Sequence, residues 1–117
     1  MILHQWDIVR IRIRAEDKDE HPAVILSREE WCQDARQSAI NVLYCTTKRP
    51  AAGATALDVT LNGADGLDNP TLVNCGHIFS VPRSRITTVV GRVSMARRPQ
   101  IGRMAGRLPV AAPRRAA

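Results

Sequence analysis

The sequence predicts a mainly β fold closed by one C-terminal helix, in the α+β class. Two observations carry this prediction. Five or six short segments rich in Val, Ile and Leu are separated by polar or glycine-containing turns, which is the pattern of short β-strands. The last patterned segment has an apolar stripe at helical spacing, at i, i+3, i+4 and i+7. With 117 residues, the chain is long enough for one hydrophobic core and too short for two.

The first strand is predicted over residues 5–13, where Ile and Val alternate with Arg. Alternation with a period of two indicates one buried and one solvated face. We expect three side chains to point inward: Val9, Ile11 and Ile13. We expect Arg10, Arg12 and Arg14 to point outward, either into solvent or along a nucleic-acid groove. From Glu16 to Glu20 every residue is charged, which predicts a flexible connection.

A central strand is predicted over residues 22–27. The four residues from Ala23 to Leu26 are all apolar, which is typical of a strand buried on both faces. His21 is then the first polar group at the strand's entrance. The following Ser27-Arg-Glu-Glu30 matches the capping-box pattern and predicts a short helix over about 28–36, with Trp31 and Ala35 on its buried side. An irregular loop is the alternative.

The rest of the chain predicts further strands and the closing helix. Strands are expected over 39–46, 57–61, 71–75 and 86–93, with turns at Asn62-Gly63 and Asp65-Gly66 and a single helical turn over 81–85. Gly76 is a candidate bulge between Cys75 and Phe79. The C-terminal helix follows Ser94, with an apolar stripe formed by Ile101, Met104, Ala105 and Leu108. This inventory favours a small SH3-like barrel over residues 1–108, followed by a disordered tail over 109–117.

Charge is divided unevenly along the chain. Residues 1–80 carry eight Lys and Arg against eleven Asp and Glu, whereas residues 81–117 carry nine Arg and no acidic residue. Positive charge concentrated in one segment is typical of a surface that binds a polyanion such as nucleic acid. A solvated arginine-rich tail is the alternative for the last few residues.

The cysteines and the hydropathy exclude several classes of protein. Cys32, Cys45 and Cys75 are odd in number and lack a CxxC spacing, so neither a disulfide framework nor a zinc site is indicated. Reduced thiols of a cytoplasmic protein are expected. The sequence contains neither a signal peptide nor an apolar run of the roughly 20 residues that a membrane helix needs, so no membrane partner is expected.

Seven short motifs, taken in order, resemble the MazF/PemK (Kid) toxin family of type II toxin–antitoxin systems. They are Asp7-Ile-Val, His21-Pro-Ala-Val-Ile-Leu-Ser, Cys45-Thr-Thr-Lys, Val59-Thr-Leu, Gly66-Leu, Pro82-Arg-Ser-Arg-Ile and Gly91-Arg-Val-Ser. The resemblance spans about residues 5–108. It implies an SH3-like barrel of the PemK/MazF/CcdB type that forms a homodimer and binds a cognate antitoxin. It also implies a growth inhibitor that cleaves single-stranded RNA at specific sequences without a metal ion or cofactor.

The resemblance indicates which residues carry the site. RNA cleavage without a metal uses the substrate's 2′-hydroxyl as nucleophile, so the protein must supply a base, an acid and a donor to the phosphate. The candidate catalytic residues are His21, Thr46 and His77. The candidate RNA-binding residues are Thr47, Lys48, Arg49, Arg83 and Arg85. A strand-end histidine bonded to the backbone and threonines that only close a strand are the structural alternatives.

The sequence departs from the family pattern at three places. Trp6 precedes Asp7 where the family usually has glycine. His21 occupies the position before proline where the family usually has arginine. After the fifth strand the family tends to have an Asp-Gln pair, whereas this chain has Asn74 and Cys75. His77 is therefore proposed as an acid or base from its residue type alone, and a catalytically degenerate module that binds nucleic acid or protein remains the alternative function.

Overall fold

The computed structural model describes residues 1–14, 16–46, 58–67, 71–75 and 77–105. Within these residues the chain forms seven strands and two helices. In chain order they are β1 (Asp7–Ile11), β2 (His21–Ile25), α1 (Glu29–Gln33), β3 (Ala39–Thr46), β4 (Asp58–Leu61), β5 (Thr71–Asn74), β6 (Phe79–Pro82), β7 (Ile86–Arg92) and α2 (Arg98–Ala105). Single 3-10 turns at Gly63–Asp65 and Arg83–Arg85 join neighbouring elements.

All the strand pairs are antiparallel. The sheet order is β4-β5-β3-β2-β1-β7, and β6 pairs with the first half of β3. The sheet curls into a half-barrel, and α2 packs against one of its faces. The predicted mainly β fold with a C-terminal helix is therefore confirmed, and β2 lies in the middle of the sheet as the sequence predicts.

Two hydrophobic clusters lie on opposite faces of the sheet. In β2, Val24 belongs to one cluster, whereas Ala23 and Ile25 belong to the other, and all three side chains are fully buried. Successive side chains of a strand point to opposite faces, so β2 contributes to both clusters at once. This confirms the expectation of a central strand buried on both sides.

The first strand is shorter than predicted. Val9 and Ile11 are buried as expected, but β1 ends at Ile11 and the side chain of Ile13 is 44% exposed. Beyond β1 the backbone N–H of Arg14 donates to the Asp17 carboxylate at 3.0 Å, which turns the chain out of the sheet into the charged connection. The inward placement of Ile13 is therefore wrong.

The prediction of a capping box is also wrong, because Ser27 does not cap α1. Its hydroxyl accepts the backbone N–H of Asn41 from β3 at 2.8 Å, so a contact between strands replaces the local one. The helix spans only Glu29–Gln33, and its buried side chain is Cys32. Trp31 and Ala35 are exposed, and the Trp31 indole donates to the Ala39 carbonyl at 2.8 Å along the surface.

The C-terminal helix packs on the barrel. Ile101 and Ala105 are buried in the same cluster as Val24, and Met104 packs against it half-buried. The predicted stripe therefore faces the protein's own sheet over this part, while Leu108 and the predicted tail lie outside the described residues. No helix in the described part of the chain is long and apolar enough to cross a membrane.

Candidate functional site

A cleft of about 800 Å³ opens where β2 begins and β3 ends. Five segments line it: β1 and its extension, the end of the charged connection with the start of β2, the end of β3, the residues around the start of β5, and β7. The lining residues are Arg10, Ile13, Asp19, Glu20, His21, Pro22, Tyr44, Cys45, Thr46, Gly66, Leu67, Thr71 and Val90. The cleft thus combines a histidine, hydroxyls, an arginine and two carboxylates.

His21 and Thr46 both line the cleft, where β2 begins and β3 ends. The β2–β3 ladder reaches the pair of Ala23 and Tyr44, which lies two residues from each of them. On its other side His21 pairs with Ile11 of β1. Of the three residues with a predicted catalytic role, these two share the cleft.

Two carboxylates in the cleft were missed by the sequence reasoning. Asp19 and Glu20 line it next to His21, at the end of a segment predicted only as a flexible connection. The signal was present, because residues that directly precede a strand-end histidine must lie near the same sheet edge. Arg10 lines the cleft as well, so this member of the alternating arginines faces the site and not only solvent.

His77 lies outside the residues that line the cleft. Its ring stacks on Phe79 with 5.4 Å between ring centroids, and Phe79 stacks on Tyr44 with 4.3 Å between centroids. Tyr44 in turn lines the cleft. The structure therefore connects His77 to the site through two aromatic rings and does not place it among the groups around His21.

Arg83 is engaged by backbone carbonyls. Its Nε donates to Gln37 at 2.6 Å, and its Nη2 donates to Cys32 at 2.7 Å and to Trp31 at 3.1 Å. A guanidinium presents several donors in a fixed planar fork, which suits this arrangement at the end of α1. The observed contacts of Arg83 hold α1 and the loop after it against the 3-10 turn before β7.

Arg85 lies at the rim of the cleft. Its Nη1 donates to the carbonyl of Ile13, which lines the cleft. Partial burial raises the pKa of the Tyr44 hydroxyl, and the positive charge of Arg85 partly opposes that rise. Arg85 is therefore close enough to Tyr44 to act on it electrostatically. The other predicted RNA-binding residues, Thr47, Lys48 and Arg49, lie outside the described residues.

The thiols are buried and unsuited to nucleophilic chemistry. Cys45 reaches the cleft wall, but burial raises the pKa of its thiol, and the nearby Cys75 adds to the effect. Burial also raises the pKa of Cys32 to about 11. A neutral thiol is a weak nucleophile, so Cys45 and Cys32 serve as core residues. Cys32 and Cys45 form no disulfide.

A buried carboxylate supports one wall of the cleft. Asp65 is 1% exposed and accepts the backbone N–H of Ser94 at 2.7 Å, that of Asn62 at 2.9 Å, and Nε of Arg97 at 2.9 Å. Burial favours the neutral acid, but these donors outweigh it and hold the pKa of Asp65 below its ordinary value. The network ties the turn that carries Gly66 and Leu67 to the start of α2.

Clusters of side chains that could bind a metal ion are absent from the described part of the chain. There, no group of three or more His, Cys, Asp and Glu side chains is arranged to hold an ion. The side chains of the cleft can transfer protons through imidazole and carboxylate, and they can donate from hydroxyl and guanidinium groups to an anionic ligand.

Comparison with solved structures identifies proteins with a similar fold. The Mycobacterium tuberculosis toxin MazF-mt6 is 20% identical, with a TM-score of 0.70 over 86% of this chain and 92% of that chain. An endoribonuclease from a mycobacterial species, solved with its cognate antitoxin, is 17% identical with a TM-score of 0.70 over 92% of this chain and 96% of that one. A MazE–MazF complex from Deinococcus radiodurans is 16% identical with a TM-score of 0.71 over 91% of this chain and 94% of that chain. The TM-scores show that these proteins share the fold of this chain.

The sequence itself assigns the family. No protein with a curated description matches the chain. The sequence profile described as "PemK-like, MazF-like toxin of type II toxin-antitoxin system" matches residues 4–106, nearly the whole chain. This match confirms the resemblance inferred from the ordered motifs, and the solved toxins share the half-barrel with its C-terminal helix. The chain therefore belongs to the PemK-like, MazF-like toxins of type II toxin–antitoxin systems.

Proposed function

We propose that this protein is the toxin of a type II toxin–antitoxin system and that it cleaves single-stranded RNA at specific sequences, without a metal ion. The observation that carries the proposal is the shared cleft of His21 and Thr46, with Arg10 and two carboxylates around it. These groups supply proton transfer and phosphate contacts, which are the functions that metal-independent RNA cleavage requires.

The reaction follows from the chemistry of RNA. The substrate's 2′-oxygen loses its proton to a base and attacks the adjacent phosphorus, the bond from phosphorus to the 5′-oxygen breaks, and an acid protonates that oxygen. The products are a 2′,3′-cyclic phosphate and a 5′-hydroxyl. No oxidant or cofactor is needed, and the cyclic ester retains the phosphate charge.

Roles for the cleft residues follow from their type. His21 acts as the general acid or base, because imidazole exchanges protons near neutral pH. The complementary role falls to a cleft carboxylate, Asp19 or Glu20, since Asn74 stands where the family tends to have aspartate. The Thr46 hydroxyl and the Arg10 guanidinium donate to the phosphate oxygens. Thr47, Lys48, Arg49 and Arg85 extend the RNA contact, whereas the carbonyl-bound Arg83 is left out of it.

An RNA digest tests the proposal directly. Purified protein in EDTA should cut a long single-stranded RNA at defined sites and leave cyclic phosphate ends. His21→Ala should slow cleavage by about 10²- to 10⁴-fold, the usual contribution of a positioned acid or base. His4→Ala is a matched control, because His4 is a histidine bonded to Glu29 at 2.6 Å outside the cleft.

The pH dependence of cleavage separates the roles. His21→Gln should flatten the dependence of the cleavage rate on pH between about pH 5 and 8, the range in which an imidazole changes charge. Glu20→Gln and Asp19→Asn should each lower the rate, and the larger loss identifies the carboxylate with the complementary role. Intact RNA after prolonged digestion with folded wild-type protein would refute the enzymatic proposal.

An antitoxin and a second copy of the chain are the expected protein partners. Solved relatives include MazE–MazF complexes, and the family resemblance implies a homodimer. The buried stripe of α2 does not itself call for a dimer, because it faces the protein's own core. Light scattering on the purified protein should give twice the monomer mass. Induced expression should arrest bacterial growth, and co-expression of the protein encoded by the adjacent gene should relieve the arrest.

A binding module without cleavage is the second candidate. The observation that favours it is Asn74, which replaces the carboxylate that the family tends to have after the fifth strand. Such a protein would bind single-stranded RNA with an affinity that falls steeply with salt and would release no product. A digest and a binding titration on the same preparation distinguish the two functions.

A further inference from the structure

Three rings form a continuous stack beside the cleft. The Tyr44 and Phe79 rings lie 4.3 Å apart between centroids with an interplanar angle of 16°, and the His77 and Phe79 rings lie 5.4 Å apart with an angle of 24°. Stacking is thus close to parallel at both contacts. The set of Tyr44, Phe79 and His77 is called the ring stack below.

The ring stack brings together residue types that are rare in this chain. The chain contains one Tyr, one Phe and three His, so its single Tyr and single Phe lie against each other and against one of the three histidines. Tyr44 and Phe79 are only half-buried at the edge of a core cluster, and His77 is exposed. A core role does not require rings at the surface, whereas a stacking platform for flat ligands does.

The stack is continuous with the proposed RNA site. Tyr44 lines the same cleft as His21 and Thr46, and the register of β2 with β3 places Tyr44 directly opposite Ala23, two residues from His21. The positive charge of Arg85 acts on Tyr44 from the cleft rim. Flat rings beside a cation are the combination that proteins use to hold single-stranded nucleic acid, with bases on the rings and phosphates near the cation.

We propose that the ring stack is a nucleobase-binding subsite, which holds an unpaired base of the same single-stranded RNA whose scissile nucleotide lies in the cleft. This inference rests on the proposed function in taking RNA as the ligand. His77 forms the exposed end of the stack and serves as a stacking surface. Its role is therefore binding of a flanking nucleotide, and the proton transfers of cleavage belong to the cleft residues.

Two variants of His77 separate stacking from acid–base chemistry. His77→Phe keeps a flat ring and removes the titratable nitrogens, whereas His77→Ala removes both. Because His77 is exposed, neither change disturbs the core, and thermal melts should confirm this. Trp31→Leu is the matched control: it removes an exposed aromatic residue that is bonded to Ala39, at the opposite end of β3 from Tyr44.

The probe is a single-stranded oligonucleotide of mixed sequence with 2′-fluoro sugars, which lack the attacking hydroxyl, and with 2-aminopurine as a fluorescent base. Binding of the wild type should quench its fluorescence. His77→Ala should raise Kd by about 5- to 100-fold, the effect of losing one base–aromatic stack, and should reduce the quenching. His77→Phe and Trp31→Leu should bind within about twofold of the wild type.

The outcomes distinguish this inference from the proposed function. Unchanged affinity of His77→Ala would overturn the ring stack as a subsite, even if the wild type cleaves RNA. Loss of cleavage in His77→Phe with affinity retained would support the subsite and overturn the assignment of proton transfer to the cleft residues alone. Affinity that depends on the His77 ring without any cleavage of ordinary RNA would support the subsite and refute the enzyme. A wild type that fails to bind the probe would refute the subsite.

Discussion

At the scale of single residues, Trp6 shows how a departure from the family pattern is accommodated. Its backbone has φ of 75°, in the left-handed region that favours glycine, the residue that the family usually has before the first aspartate. Two backbone hydrogen bonds fix this conformation. The N–H of Trp6 donates to the carbonyl of Ile25 at 2.9 Å, and the carbonyl of Trp6 accepts the N–H of Val93 at 2.9 Å. The indole packs half-buried against the core cluster and offsets part of the backbone strain.

Two substitutions at Trp6 separate backbone strain from packing. Trp6→Ala loses the ring and keeps a Cβ at positive φ, whereas Trp6→Gly loses the ring and the strain together. We expect both variants to be less stable than the wild type, with Trp6→Gly more stable than Trp6→Ala by about 1 kcal/mol. Urea unfolding monitored by circular dichroism measures the difference.

The control for this prediction is the same pair of substitutions at Glu30, an exposed residue inside α1. There glycine should be the less stable of the two, by about 0.5–1 kcal/mol, because a helix interior favours alanine. If glycine also ranks below alanine at position 6, the left-handed backbone carries no cost in solution and the interpretation of Trp6 fails.

At the scale of elements, the sequence predicts strands better than their ends and contacts. β2 and β3 are found where continuous apolar runs predict them, because burial on two faces leaves no other use for such runs. Ser27 fits the pattern of a local capping box, yet its hydroxyl accepts a hydrogen bond from the backbone N–H of Asn41, which lies 14 residues away. A local pattern cannot reveal which distant backbone group competes for the same side chain.

The cleft shows the same limit. The motif around His21 and the Cys45-Thr-Thr segment were identifiable from sequence, but their meeting depends on the pairing of β2 with β3, which no local pattern contains. Asp19 and Glu20 were missed because their charge predicts a solvated loop, although their position directly before His21 places them at the same sheet edge. His77 was assigned by residue type, whereas its observed neighbour is the Phe79 ring.

One glycine controls how the cleft wall meets β7. A Cβ at Gly91 would lie 2.6 Å from the carbonyl oxygen of Asp65, closer than atoms can approach, so Gly91→Ala must displace the turn that precedes Gly66. We expect a loss of about 1–3 kcal/mol in the free energy of unfolding, the usual cost of overpacking, together with slower RNA cleavage.

Gly102 provides the matched control. A Cβ there meets nothing within 4 Å, and the residue lies inside α2. Gly102→Ala should therefore leave cleavage unchanged and raise stability by up to about 1 kcal/mol through helix propensity. Equal melting temperatures for the two variants would mean that the contact between Gly91 and Asp65 does not constrain the fold.

At the scale of the whole molecule, the arginine-rich third of the chain overlaps the end of the core. The buried apolar residues of the described part run from Leu3 to Ala105, and α2 contributes Ile101 and Ala105 to the core. The C-terminal third carries the excess of arginine, and two of those residues, Arg114 and Arg115, belong to the segment predicted as a tail. The arginines of the C-terminal third are therefore divided between the folded part, where Arg83 to Arg103 lie, and the predicted tail.

Deletion of residues 109–117 tests this division. We expect the shortened protein to keep its melting temperature within about 1–2 °C, because the deletion leaves every buried residue identified between Leu3 and Ala105 in place. The affinity for single-stranded RNA should become less dependent on salt. Each phosphate contact contributes about −0.7 to the slope of log K against log salt, so losing two arginines should reduce the slope by about 1.4.

The double substitution of Arg114 and Arg115 by alanine should reproduce the change in slope if charge is responsible. A lower melting temperature would place part of the segment in the fold, and an unchanged slope would leave the tail arginines solvated and the polyanion contact with the barrel.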